Sequence, residues 1–365
     1  MSSSKRLFLT CLIALFPAYT FFQMGMLNVL GNYWLEENLA MGGQTAYLSS
    51  AYLYADAFML IFAGVLLDHV KLSKLIPLAL GLNIIGTFMI LLHQTLFWLI
   101  MSRAISGLGH AFALLALFRV AILLFDEKKH GFVIGLGLTI AIAGGFMSEG
   151  PFDRILLICG WKIGLGLDVF IGLALLFLMS FLLRRYAPLL SQGKGEKLLH
   201  DYFSGFAAAA KKPVNYLCAI YICCMSMPLM IYGLIWGNDY LEMHDHFSSV
   251  QASFASGLLF AGLAVGFPVV GWVSDHFKHR SYAMVFGAAI TFFMLVLFNL
   301  THKQSFLMVC LVLFVMSFFS ASQAIGYTMI GEQNPRASAS SAMGFSNVIL
   351  MGLTATIQLA LNHFI

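Results

Sequence analysis

Apolar residues come in long unbroken runs along this chain, and the polar ones gather between them. Eleven runs recur, at about 7–30, 45–67, 72–93, 96–124, 131–158, 162–183, 213–236, 248–272, 281–300, 304–330 and 338–363. A run of roughly 20 apolar residues is long enough to cross a bilayer as a helix. Lipid offers no partner to backbone N–H and C=O groups, so such runs take helical form. The pattern predicts an all-α integral membrane protein with eleven transmembrane helices. One stretch interrupts it: 184–212 (RRYAPLLSQGKGEKLLHDYFSGFAAAAKK) is polar and basic. It is expected to be a cytoplasmic linker between an N-terminal six-helix half, 1–183, and a C-terminal half with five helices, 213–365.

Composition closes off the soluble alternative. The chain is 60% hydrophobic and 10% charged, whereas soluble globular domains carry about 25% charged residues. The placement of charge then sets an orientation. With the N-terminus in the cytoplasm, fifteen of the twenty lysines and arginines fall in cytoplasmic segments and three (Arg154, Lys162, Lys303) outside. Such a bias follows the positive-inside rule. The basic balance is therefore a topology signal, and no nucleic-acid partner is expected. The first run begins at Lys5 and Arg6 but is too long for a signal peptide and lacks a small-residue cleavage site, so it is read as the first span. The six cysteines lie in or at the edge of apolar runs, which fits neither a disulfide framework nor zinc spacing.

The two halves repeat one another. The junction GxxxD, where an apolar run turns charged, falls at Gly64/Asp68 in GVLLDHVKLSKL and again at Gly271/Asp275 in GWVSDHFKHR, an offset of 207 residues. Run starts near 7 and 213, and near 131 and 338, follow the same offset. Duplicated six-helix halves are a common architecture of secondary transporters. By this arithmetic the counterpart of the sixth run would end about 25 residues beyond Ile365, so a twelfth helix is expected to be missing.

The first junction, with Gly64, Asp68, Lys71 and Lys74, resembles the loop between helices two and three of the major facilitator superfamily, although His69 stands where arginine is usual. The second keeps Gly271, Asp275, His276 and Arg280. RAISGLG at 103–109 is similar to that family's fourth-helix motif. The resemblance covers essentially the whole chain. It implies a two-half helical bundle and alternating access, with helices one, four, seven and ten lining a central cavity and helix six peripheral. It also implies that the first junction packs near helix eleven as part of a cytoplasmic gate made of Gly64, Asp68, Lys71, Lys74, Gly271, Asp275 and Arg280. The physical logic stands alone as well. A glycine lets a neighbouring helix approach. A carboxylate at a helix end can cap an adjacent helix N-terminus and pair with a cation.

Charges inside the membrane are costly and point to pathways or relays. Asp56 lies roughly 16 Å into the second run at 1.5 Å per residue. Arg103 and His110, two turns apart, lie on nearly one face of the fourth run, and Glu149 lies in the fifth. A carboxyl whose surroundings alternate can take up and release a proton. Asp56, Arg103 and Glu149 are therefore candidates for proton coupling or relay. Asp168, at a depth close to that of Arg103, is read as a static buried group because the resemblance makes helix six peripheral. Candidate substrate-binding residues are Arg103 and His110 with Tyr19 and Gln23, four apart in the first run; Tyr232 and Trp236 on a stripe with Pro228; and Ser320 and Gln323, which with Tyr327 follow helical spacing on one face.

Other chemistries find little support. His244-Asp245-His246 lacks a fourth ligand, so no metal is expected, and no cofactor. No phosphate-cradling loop of an ATP-driven pump occurs, and no nucleophile–base pair suggests an enzyme. The glycines and proline of AGGFMSEGPFDR stand in a different arrangement from the fifth-helix motif of drug exporters. The sequence reads as a bacterial inner-membrane carrier, a monomer, moving a small anionic or zwitterionic organic solute with protons as coupling ion. A drug or siderophore exporter and a transport-inactive sensor or scaffold are the alternatives.

Overall fold

A computed structural model of the chain describes residues 3–36, 44–92, 95–148, 150–190, 206–233, 237–276, 280–300, 305–335 and 338–364. All regular structure in them is helical. Eleven segments are long and apolar enough to cross a membrane, here called spans one to eleven: Lys5–Gly31, Tyr47–His69, Leu72–Leu92, Leu96–Leu124, His130–Cys159, Trp161–Tyr186, Pro213–Gly233, Phe254–His276, Arg280–Leu300, Phe306–Gln333 and Ala339–Ile357. They match the apolar runs to within a few residues. The helix of span six runs on to Leu190, past the expected boundary at 183. Arg184 and Arg185 are good helix formers on an exposed face and give it no reason to stop. Most of the expected linker, 191–205, lies outside the described residues.

Packing sorts the spans into inner and outer. Span four is the most buried, with 89% of its central window covered, and spans six and nine are the least, at 22% each. Large apolar side chains such as Phe177, Phe292 and Leu311 point outward from spans six, nine and ten, as a lipid-facing surface requires. Span two packs along span eleven, and span five packs along both span one and span eight. The two–eleven and five–eight contacts join the first six spans to the last five.

Three inner spans depart locally from regular α-helix. Span four tightens at 111–112, between helices Leu96–His110 and Ala113–Leu124: the backbone stays right-handed helical, but Phe112 N–H bonds back only three residues, to the Gly109 carbonyl at 3.5 Å. Span ten tightens in the same way at 321–322, between Phe306–Ser320 and Gln323–Gln333, where Ser322 N–H bonds to the Phe319 carbonyl at 3.0 Å. In span seven the α-helix Pro213–Pro228 passes into a π-helical stretch, Leu229–Gly233. Pro228 accounts for this, because a proline removes an amide donor and loosens the turn around it.

Candidate functional site

The polar interior lies among spans one to four and six. Tyr19 and Gln23 stand on one face of span one, as their spacing requires. The Gln23 amide nitrogen lies 2.9 Å from the Tyr19 hydroxyl, 2.7 Å from Thr87 Oγ1 of span three and 2.9 Å from Asp168 Oδ2 of span six. Tyr19 donates to the Asp168 carbonyl at 3.3 Å and to its Oδ2 at 3.4 Å. A glycine permits this approach: a Cβ at Gly172, one turn beyond Asp168, would lie 2.3 Å from the Tyr19 hydroxyl oxygen. Span six is peripheral as a whole, yet this one face turns inward. Asp168 is therefore part of the cluster, where the sequence suggested an isolated static group.

Arg103 reaches the same cluster from span four. Its Nη1 donates to the Gln23 carbonyl at 2.9 Å, and its guanidinium lies over the Tyr52 ring, 4.5 Å from the centroid. It is buried, and no carboxylate forms an ion pair with it among the described residues. His110, at the end of the first half of span four, packs between Phe21 and Tyr52, with ring centroids 5.5 and 5.4 Å away. Asp56 of span two is fully buried. Both its carboxyl oxygens lack a hydrogen-bond partner among the described residues, as do Gln23 Oε1, Asp168 Oδ1, Arg103 Nε and His110 Nδ1. Buried polar atoms are nearly always paired. The six unpaired atoms single out Asp56, Gln23, Asp168, Arg103 and His110 as candidates for a site.

The candidates in the later spans do not join this cluster. Ser320 donates to the Met225 carbonyl of span seven, and Gln323 accepts from Ser226. Tyr327 turns instead to span eleven, donating to Asn347 Oδ1 at 2.7 Å. Ser320 and Gln323 thus turn to span seven and Tyr327 to span eleven, although Gln323 and Tyr327 share one helix, Gln323–Gln333. Tyr232 donates to Asn299 at 3.0 Å and packs with Tyr240 and Phe298, away from the charged cluster. Glu149 and Trp236 lie outside the described residues.

The two GxxxD junctions form a second pair of polar sites. Asp68, at the end of span two, accepts from Ser340 N at 3.2 Å, Ser341 N at 2.9 Å and Ser341 Oγ at 2.6 Å. It thereby caps the start of span eleven. A Cβ at Gly64 would lie 2.7 Å from the Ser340 carbonyl oxygen, so only glycine allows this crossing. Asp275, at the end of span eight, accepts from Gly131 N at 3.2 Å and Phe132 N at 2.8 Å, capping span five, and Gly271 lies equally close to Gly131. The cations differ. Asp68 pairs with Arg119 of span four at 2.9 Å, with both side chains buried. Lys71 and Lys74, its nearer neighbours in sequence, are exposed. Asp275 pairs with Arg280 at 3.0 Å, and Arg280 also binds Glu332 of span ten at 2.7 Å. Arg119, Glu332 and the serines of span eleven were not singled out in the sequence. Arg119 sits within an apolar run 51 residues from its partner, and only the fold brings them together.

Comparison with known proteins places this geometry. A solved structure of a variant of the E. coli fucose:proton symporter FucP is similar to the chain with a TM-score of 0.73 and 14% identity, over 97% of this chain and 90% of that one. At such identity the likeness concerns the fold alone. A search of curated proteins returned no match. The family model of the Major Facilitator Superfamily matches residues 11–357. With that match over nearly its whole length, the chain belongs to the major facilitator superfamily, a family of membrane transporters.

Proposed function

We propose that the protein is a proton-coupled carrier of a small anionic or zwitterionic organic solute, working by alternating access in a bacterial inner membrane with its N-terminus cytoplasmic. The observation that carries this reading is the presence of two incomplete charged groups, Arg103 and Asp56, both buried within the spans. Arg103 is a buried guanidinium without a carboxylate partner, which suits it to a carboxylate on the solute. Asp56 is a buried carboxyl without any partner, which suits it to carrying a proton. The symporter that shares the fold is, by its description, coupled to protons, which agrees with this reading. In the same reading 1–183 and 213–365 move against one another, and the Asp68 and Asp275 junctions hold them together at one end.

Reconstitution in proteoliposomes tests it. A panel of radiolabelled amino acids and carboxylates is offered under an imposed acid-outside gradient. At least one is taken up faster with the gradient than without. Asp56→Asn then abolishes gradient-driven uptake while leaving exchange at equal pH; uptake at the wild-type rate would sink the coupling role. Arg103→Gln weakens solute affinity by roughly 30-fold, the worth of about 2 kcal/mol for one charge-assisted hydrogen bond. A transport-inactive sensor would show no gradient-dependent flux for any solute.

A further inference from the structure

The Gln23 amide nitrogen carries two protons, yet three acceptors stand within 2.9 Å of it: Tyr19 Oη, Thr87 Oγ1 and Asp168 Oδ2. Two neighbouring atoms have the opposite deficit. Gln23 Oε1 and Asp168 Oδ1 are buried without a partner among the described residues. Both are acceptors while Asp168 is ionised, so neither can satisfy the other. A single proton on Asp168 supplies a donor to this acceptor-rich group, because a protonated carboxyl is a donor. The Gln23 amide then turns over, placing Oε1 where Nε2 stood. There it accepts from the Asp168 hydroxyl and from Tyr19 or Thr87. The two orientations of one amide match the two protonation states of one carboxyl.

We propose that Asp168 is a proton-carrying carboxyl of this carrier, and that Gln23 passes its protonation state to the solute site. The proton comes from the aqueous phase; an O–H bond forms on Asp168, and no bond of the protein breaks. The groups acting on Asp168 are Tyr19 of span one and Arg103 of span four, while span three offers Thr87, which does not titrate, and the adjoining helix Gly150–Cys159 sets no titratable group against it among the described residues. Asp168 touches no solute in this scheme and acts through Gln23 as a positioning residue.

The consequence for coupling has a definite sign. With Asp168 ionised, the free atom of Gln23 is Oε1, an acceptor. With Asp168 protonated, it is Nε2, a donor. This switch occurs on the residue whose carbonyl holds Arg103 at 2.9 Å. A carboxylate solute therefore gains a second donor beside the guanidinium only after Asp168 has taken a proton. Proton and anion travel in the same direction. The inference rests on the proton-coupled reading above but names a different carboxyl.

Infrared difference spectroscopy of the full chain reconstituted in lipid tests it, with pH as the only variable and no solute required. In wild type, a protonated-carboxyl C=O band and a side-chain amide change appear together at one midpoint. Both disappear in Asp168→Asn and both persist in Asp56→Asn. Gln23→Leu removes the amide change, keeps the carboxyl band and moves its midpoint by about one pH unit, since a lost hydrogen bond to a buried carboxyl is worth that much. Two results would overturn the proposal: an Asp168→Asn difference spectrum identical to wild type, or a carboxyl band that titrates without any change at Gln23. Loss of this band and of the amide change in Asp56→Asn, with both kept in Asp168→Asn, would place the titration on Asp56 alone and overturn the proposal.

Discussion

Asp68 and Asp275 stand at equivalent junctions 207 residues apart; Asp68 alone also accepts from a hydroxyl, that of Ser341, and the larger difference is the cation. Each accepts two backbone N–H bonds from the start of a helix in the other group of spans, and each has a glycine one turn back that lets the helices cross. What differs is the cation. Arg119 comes from a distant span and is buried with Asp68. Arg280 comes from five residues away, is 15% exposed and is shared with Glu332. The repeated part is thus a carboxylate set against the N-terminus of a partner helix, where the helix dipole favours negative charge. The cation is drawn from whatever the local packing offers.

Three substitutions probe that difference, in descending order of effect. Arg119→Met leaves the Asp68 carboxylate buried with hydrogen bonds but no countercharge. Breaking a buried pair from one side costs about 3–5 kcal/mol, and the unfolding midpoint of the purified protein in detergent should drop by several degrees. Arg280→Gln removes a partly exposed network and should cost about 1 kcal/mol in the same assay. Equal losses from the two would show that burial does not separate the junctions. Lys71→Ala with Lys74→Ala should stay within about 0.5 kcal/mol, the range of surface substitutions. A larger loss would return the lysines to the first junction.

Much of this was legible in the sequence, for physical reasons that can be named. Apolar runs of bilayer length leave the chain little choice but helices, so the eleven spans were plain. Tyr19 and Gln23 shared a face because span one is continuous there. Gly64 and Asp68 declared themselves by repetition. The partners did not, because they depend on which spans become neighbours. Lys71 and Lys74 misled by proximity: they follow the helix end and face outward, while the cation that reaches Asp68 comes from span four. Asp168 was discounted because span six is peripheral on average. Gly172, one turn beyond it, was the available signal that one face turns inward. Tyr327 bonds to span eleven where Ser320 and Gln323 bond to span seven, because helical spacing does not say which neighbouring span each residue meets.

The tightened turns in spans four and ten bear on the mechanics of the whole bundle. A rigid span of 29 residues, tilted about its middle, would swing both of its ends, so any movement at one membrane face would be repeated in reverse at the other. A joint near the midpoint removes that obligation. The arms Leu96–His110 and Ala113–Leu124 can change angle separately, as can Phe306–Ser320 and Gln323–Gln333. In the proposed alternating-access cycle one mouth then seals before the other loosens, and an occluded intermediate costs bending at two turns instead of the rupture of two helices.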